Sequence, residues 1–260
     1  MGVRWGKMLT DPEQLNRAAA DGFDFVQPSR DLVAELSEES FRRLKALVAD
    51  RGLPFQVCAV PLPEEVRVTQ RGFNLYVWTE HLKSALQRLA QLGCRQLAWS
   101  NGRARVLPVE GELAVFKEQL LQFLFMLCEV ASGFGLSVSV EPLGPRRTNF
   151  LNSLKEIGDF LPRVGKDNLF SLISLRELAQ IGLEPVDFAR YRALIAHVQM
   201  ENPRAAEGPR ICPRPDDGYD YGPFLQALKG MGYSGGICLP EDSDAAGLAY
   251  CRGLWAEASP

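Results

Sequence analysis

Short strand-like runs and amphipathic helix-like runs alternate along this chain from end to end. That rhythm restricts the fold more than any other feature. A strand buried on both faces reads as a brief, β-branched apolar run, and a surface helix shows apolar residues at 3.6-residue spacing. Runs of the first kind fall at residues 2–5, 23–27, 55–60, 96–99, 136–143, 169–173, 195–199 and 236–239. Helices are predicted over 11–20, 37–51, 79–92, 116–132, 151–161, 224–231 and 244–256. Their ends carry stop and start signals: Asp11-Pro12-Glu13 is an N-cap with Pro at N1, and Gly22, Gly52 and Gly93 follow the last helical residues. Eight strands separated by helices in 260 residues is the α/β pattern of a (β/α)8 TIM barrel. A doubly wound sheet has the same rhythm and is the alternative, because closure leaves no mark in a sequence. No low-complexity linker interrupts the chain, so residues 1–260 are read as one domain.

Composition narrows the function classes. A net charge of −3 gives no case for nucleic acid, and no apolar run reaches membrane-span length. Residues 1–10 contain no apolar h-region of a signal peptide. None of the six cysteines forms a CxxC pair, which points to free thiols in a reducing cytoplasm. Two histidines in the whole chain cannot build a His-rich metal cluster. A homo-oligomer is compatible with the sequence, which names no partner chain.

In a barrel, chemistry sits at the carboxyl ends of the strands. Glu141 ends the fifth strand run, with Pro142 behind it. A lone carboxylate there is more often a charge where a strand surfaces, so its neighbours decide. The expected top-face loops carry Trp5 and Lys7, Gln27 and Arg30, Asn101, Arg103 and Arg105, Arg147, Ser174, Arg176 and Glu177, Gln199, Glu201, Arg204 and Arg210, and Glu241 with Asp242. Arginines gather in these loops although the chain is acidic overall. Guanidinium forks suit carboxylate and phosphate groups, and equally they suit solvated loops. His197 and Gln199 lie two apart on the seventh strand and share a face. A strand histidine is more often a hydrogen-bonded core residue than a ligand, and the polar Gln199 raises the inward-facing reading.

Several motifs then coincide. Val140-Glu141-Pro142-Leu143 with residues 148–154 (Thr-Asn-Phe-Leu-Asn-Ser-Leu) resembles the xylose-isomerase-like TIM-barrel superfamily of sugar isomerases and epimerases. His197-Val198-Gln199-Met200-Glu201-Asn202-Pro203 is similar to the seventh-strand motif of its hydroxypyruvate isomerase branch. Asp220-Tyr221 and Gly232-Tyr233-Ser234-Gly235 are similar to the last helix-to-strand unit. The resemblance implies a divalent metal, Mn²⁺ or Mg²⁺, held by a Glu, an Asp, a His or Gln, and a Glu from strands five to eight. The metal polarises a carbonyl while a carboxylate moves the neighbouring proton.

Carried over by position, Glu141 is the first ligand and Gln199 the third. Ser174 stands where the family has Asp, and Glu177 where it has His. Pro240 stands where the last Glu belongs, with Glu241 one residue beyond. Gln27 replaces an acid at the end of strand two. A one-residue offset turns a strand side chain to the opposite face. The resemblance therefore implies an incomplete metal site with two outcomes. One is a barrel without that metal chemistry, which binds a small anionic carbohydrate, sugar phosphate or hydroxy-keto acid with its catalysis lost or altered, or which serves as a regulatory or assembly protein. The other is an active isomerase or epimerase with a rebuilt site, using Glu141 and Glu241 as catalytic acids and bases and Glu141, Gln199 and Glu177 as metal ligands. In both, His197, Ser174, Arg105, Arg147 and Arg204 are the expected substrate contacts. A DNA-repair nuclease of the same superfamily needs a His-rich multi-metal cluster that this chain cannot supply.

Overall fold

The computed structural model describes residues 2–28, 32–182, 188, 190–205 and 208–259, so Arg30 lies outside the described residues. Its strands are β1 (Arg4–Leu9), β2 (Phe25–Pro28), β3 (Val57–Ala59), β4 (Gln96–Trp99), β5 (Ser137–Val140), β6 (Leu169–Ser174), β7 (Ile195–Gln199) and β8 (Gly236–Leu239). The order is β2-β1-β8-β7-β6-β5-β4-β3, and every pair is parallel. First and last strands are hydrogen-bonded neighbours, which an open doubly wound sheet does not allow. At the remaining seam the Val26 amide donates to the Pro54 carbonyl at 2.9 Å. The result is a nearly closed (β/α)8 TIM barrel, as the alternation predicts.

The helices are α1 (Leu15–Ala20), α2 (Glu38–Arg51), α3 (Leu75–Gln91), α4 (Leu113–Ser132), α5 (Leu154–Phe160), α6 (Leu175–Gln180), α7 (Gly222–Gly230) and α8 (Ala245–Glu257). Their ends follow local chemistry. Ser37 caps α2 by accepting from the Ser40 amide, and Gly52 ends that helix at φ 60°. A side-chain N-cap of this kind stabilises a helix by roughly 1 kcal/mol. Asn74 accepts from the Tyr76 and Val77 amides, and so α3 starts four residues before the predicted Thr79. Helix α6 is absent from the sequence reading, yet its signal is present: Ser174 accepts from the Glu177 amide three residues on.

Strand β1 is longer than predicted and displaced toward its C-terminal end. Trp5 and Lys7, expected in the loop above it, lie within the strand and face the helix layer. Trp5 joins the outer core. Lys7 Nζ donates to the Ser243 carbonyl at 2.6 Å and stands 5.8 Å from the Phe23 ring centre.

Two cores result. The larger fills the space between strands and helices, with Val138 and Val140 of β5 among its members. The smaller fills the barrel itself and contains Met8, Phe25, Val57, Ala98, Leu172 and Cys238. Phe25 needs small neighbours: a Cβ on Gly6 would fall 2.2 Å from its ring, and one on Gly236 would fall 2.8 Å away. Register shifts between β6 and β7, where Ser171 pairs with Ile195 but Leu172 pairs with His197. That irregularity changes the phase of β7. Ile195 packs in the outer core, while His197 meets Phe25 inside the barrel, ring centres 6.3 Å apart. Among the described residues no helix is long and apolar enough to cross a membrane.

Candidate functional site

Alternation along β5 places Glu141. Val138 and Val140 face the helices, and Ser139 faces inward, where it accepts a hydrogen bond from Gln96 Nε2. Two residues further, Glu141 shares the inward phase at the carboxyl end of the barrel. It is fully buried. Neither carboxylate oxygen has a hydrogen bond of full geometry among the described residues. Burial pushes its pKa up, and Arg210 and the Ser100 hydroxyl only partly oppose that.

Above it opens a cavity of about 690 Å³. Its described lining includes Gln27, Trp99, Ser100, Asn101 and Gln199, and it carries Arg103, Arg146, Arg147, Arg176 and Arg210 against one carboxylate, Glu64. Gln199 is 3% exposed, and its Oε1 has no hydrogen-bond partner among the described residues.

Arg210 is the hub. Its Nη2 stands 3.5 Å from Glu141 Oε1, and its Nη1 stands 2.7 Å from Glu201 Oε1 and 2.9 Å from Ser174 Oγ. The Ser174 hydroxyl donates to Glu201 and accepts from Arg210 and the Glu177 amide. Burial disfavours the Arg210 charge, but Glu201, Glu141 and Glu177 outweigh it and hold the guanidinium above the ordinary arginine range. Glu177 is turned to other partners: it accepts from Arg147 Nη1 at 3.0 Å and from the Gly144 amide at 3.4 Å.

The sequence-predicted residues thus divide. Glu141, Gln199, Ser174, Glu177 and Arg147 come together at the mouth. His197 lies below them, buried, with Nε2 2.8 Å from Gln27 Oε1, and burial pushes its pKa down to about 3. It is the hydrogen-bonded core histidine. Arg105 also lies beneath the cavity, fully buried. Its Nη2 donates to the backbone carbonyl of Glu141 and its guanidinium stands 5.8 Å from the Trp99 ring centre. Burial lowers its pKa to about 10, with Glu141 opposing.

Arg204 turns away from the cavity and donates to the Asp217 carbonyl at 3.3 Å. Glu241 is also elsewhere. It follows the inward positions Cys238 and Pro240 by one residue and points outside the barrel mouth, accepting from Thr10 and from Gln14 Nε2 at 2.6 Å. It lines a separate cavity of about 490 Å³ with Lys7 and Asp242. Glu201 and Arg210, expected in the top-face loops, are not among the ligands or substrate contacts that the sequence reading singles out. Glu201 shares the phase of Gln199 two residues earlier, which is a usable signal. Nothing in the spacing distinguishes Arg210 from Arg204.

A family model described as the xylose isomerase-like TIM barrel matches residues 15–250. The chain belongs to this family. No curated protein sequence matches it significantly. Solved structures similar to this xylose isomerase-like barrel include a D-psicose 3-epimerase determined in the presence of D-fructose. It has a TM-score of 0.82 and 14% identity, covering 97% of this chain and 99% of that one. An L-ribulose 3-epimerase has a TM-score of 0.80 and 17% identity, covering 98% and 95%. A 3-keto-D-glucoside 4-epimerase from E. coli in its apo form has a TM-score of 0.77 and 16% identity, covering 96% and 99%. Identities this low establish the shared barrel and leave the chemistry to the site. In this family member, no three His, Cys, Asp or Glu side chains among the described residues are grouped as a metal ion would need.

Proposed function

We propose that this barrel binds a small anionic carbohydrate or hydroxy-keto acid at its top face, with the metal-assisted chemistry of the family lost or altered. The observation that carries the reading is the cavity lining, which gathers five arginines in a protein of net charge −3, Arg147 being paired with Glu177 and Arg210 with Glu201 and Glu141. Arg forks bind phosphate and carboxylate bidentately. The donor set does not fit a divalent cation. Hard cations want several charged oxygens. Here the second ligand position is a serine hydroxyl already engaged by Glu201 and Arg210, Glu177 is held by Arg147, and Glu241 lies in another cavity. The seventh-strand sequence from His197 to Pro203 supports the hydroxypyruvate isomerase branch as the nearest one. Six buried free cysteines support a reducing compartment, the cytoplasm.

Calorimetry and thermal shift with sugar phosphates, short hydroxy and keto acids, and neutral sugars test this. Stabilisation by the anions and none by the neutral sugars is the expected result. A flat response to every anion would count against the arginine argument.

One observation favours a second reading, an active Mn²⁺- or Mg²⁺-dependent aldose-ketose isomerase or epimerase. The Glu141 carboxylate and Gln199 Oε1 are both buried at the mouth, and neither accepts a hydrogen bond of full geometry among the described residues. Elemental analysis of the purified protein and turnover assays with added Mn²⁺ separate the two readings.

A further inference from the structure

We propose that the guanidinium of Arg210 occupies the place between β5, β6 and β7 that a divalent cation would take, so that the site is organised around a cation carried by the chain itself. This rests on the reading that the family metal is not used. The geometry is specific to the seat. Arg210 approaches the carboxylate of Glu141, the expected first ligand, at 3.5 Å, and the hydroxyl of Ser174, the position of the expected second ligand, at 2.9 Å. It lines the same cavity as Gln199, the expected third. Its strongest contact, 2.7 Å, is to Glu201, a buried carboxylate that the family ligand pattern does not contain. Ser174 completes the exchange. A carboxylate at this position would add a negative charge, whereas the hydroxyl accepts from the guanidinium and donates to Glu201 at once. A guanidinium offers five directed N–H donors and no acceptor, so it binds oxygens and repels metal ions from the space it fills.

Removal of Arg210 leaves Glu141, Glu201, Gln199 and Ser174 around an emptied space, an oxygen set with two carboxylates that suits a hard cation. The test is Mn²⁺ binding, measured by calorimetry and electron paramagnetic resonance on wild type, Glu141→Gln, Arg210→Ala, Arg210→Gln and Arg210→Ala with Glu141→Gln. Wild type is expected to bind no Mn²⁺ at this site. Arg210→Ala is expected to bind it at least about tenfold more tightly than the weakest binding the measurement detects, and adding Glu141→Gln is expected to abolish that gain. A variant that folds only when Mn²⁺ is added supports the proposal equally.

Wild-type Mn²⁺ binding that is lost in Glu141→Gln overturns it. So does a folded Arg210→Ala or Arg210→Gln protein that gains no Mn²⁺ binding, and so do variants that stay unfolded with and without the ion. Anion binding is a separate readout. If no anion binds but Arg210→Ala acquires Mn²⁺, the seat assignment stands and the ligand assignment falls.

Discussion

His197 on β7 and Gln27 on β2 are joined by a hydrogen bond of 2.8 Å that spans the barrel interior. Each partner is buried, so loss of either leaves the other short of a bond, at a cost of about 1–3 kcal/mol. Gln27→Ala should lower stability by that amount in urea denaturation. An unchanged midpoint would show that the bond contributes nothing.

The same pair sets a pH dependence. Burial holds the His197 pKa at about 3, against an ordinary 6.5. On acidification the unfolded chain therefore takes up this proton first, and stability rises with pH through that interval. The contribution is complete above pH 6.5 and is lost as pH falls toward 3, with a slope of about 1.4 kcal/mol per pH unit. The stability difference between wild type and His197→Gln should be level above pH 7 and should shrink below 6.5. A difference that stays constant to pH 4 would mean the imidazole is charged in the fold.

Glu141 carries the opposite sign. Its pKa is raised by burial, so the folded state holds this proton more tightly than the unfolded chain does. The ionised carboxylate consequently destabilises the fold at pH values above its unfolded pKa. Glu141→Gln should raise stability and Tm at pH 7, while weakening whatever function the site performs. Calorimetric unfolding measures the gain, and a lower Tm would show that the contact with Arg210 outweighs desolvation.

Arg103 and Arg204 separate two expectations. The first lines the cavity and the second is directed at the Asp217 carbonyl. Arg103→Ala should weaken anion binding by about 5- to 30-fold, in line with a charge-assisted hydrogen bond of about 1–2 kcal/mol. Arg204→Ala should leave affinity unchanged. The reverse ranking in calorimetry would place the ligand outside the cavity.

Gly102 shapes the rim by being small. A Cβ there would stand 2.6 Å from the Arg147 backbone oxygen. Gly102→Ala should displace the segment bearing Arg147 and destabilise the protein by about 1–3 kcal/mol, with ligand affinity falling alongside. Wild-type affinity and stability in this variant would show that the rim yields freely.

Most of the barrel is legible in the sequence because strands and helices announce themselves by period. Strands β4, β7 and β8 fall where their apolar runs predict. Strand β1 does not, since Gly6 and Lys7 break its apolar run. The fold needs Gly6 for the Phe25 ring and buries Lys7 against Ser243, two tertiary reasons invisible in a local window. The inward phase of Glu141 follows from simple alternation, and so does the displacement of Glu241 to the other side. Arg210 is different in kind. It comes from an irregular loop, where no period says which of several arginines turns inward. Its selection over Arg204 depends on three groups, Glu141, Ser174 and Glu201, that only the folded barrel brings together.

The loop after β7 therefore determines more than shape. A positive charge fixed to the polypeptide is present once per barrel by synthesis alone. It cannot be stripped by a chelator, starved by scarcity or exchanged for a competing ion. On the proposal that Arg210 fills the cation seat, this charge is inherited with the coding sequence rather than drawn from the surrounding solution, and Arg210→Ala is expected to make it depend on supply.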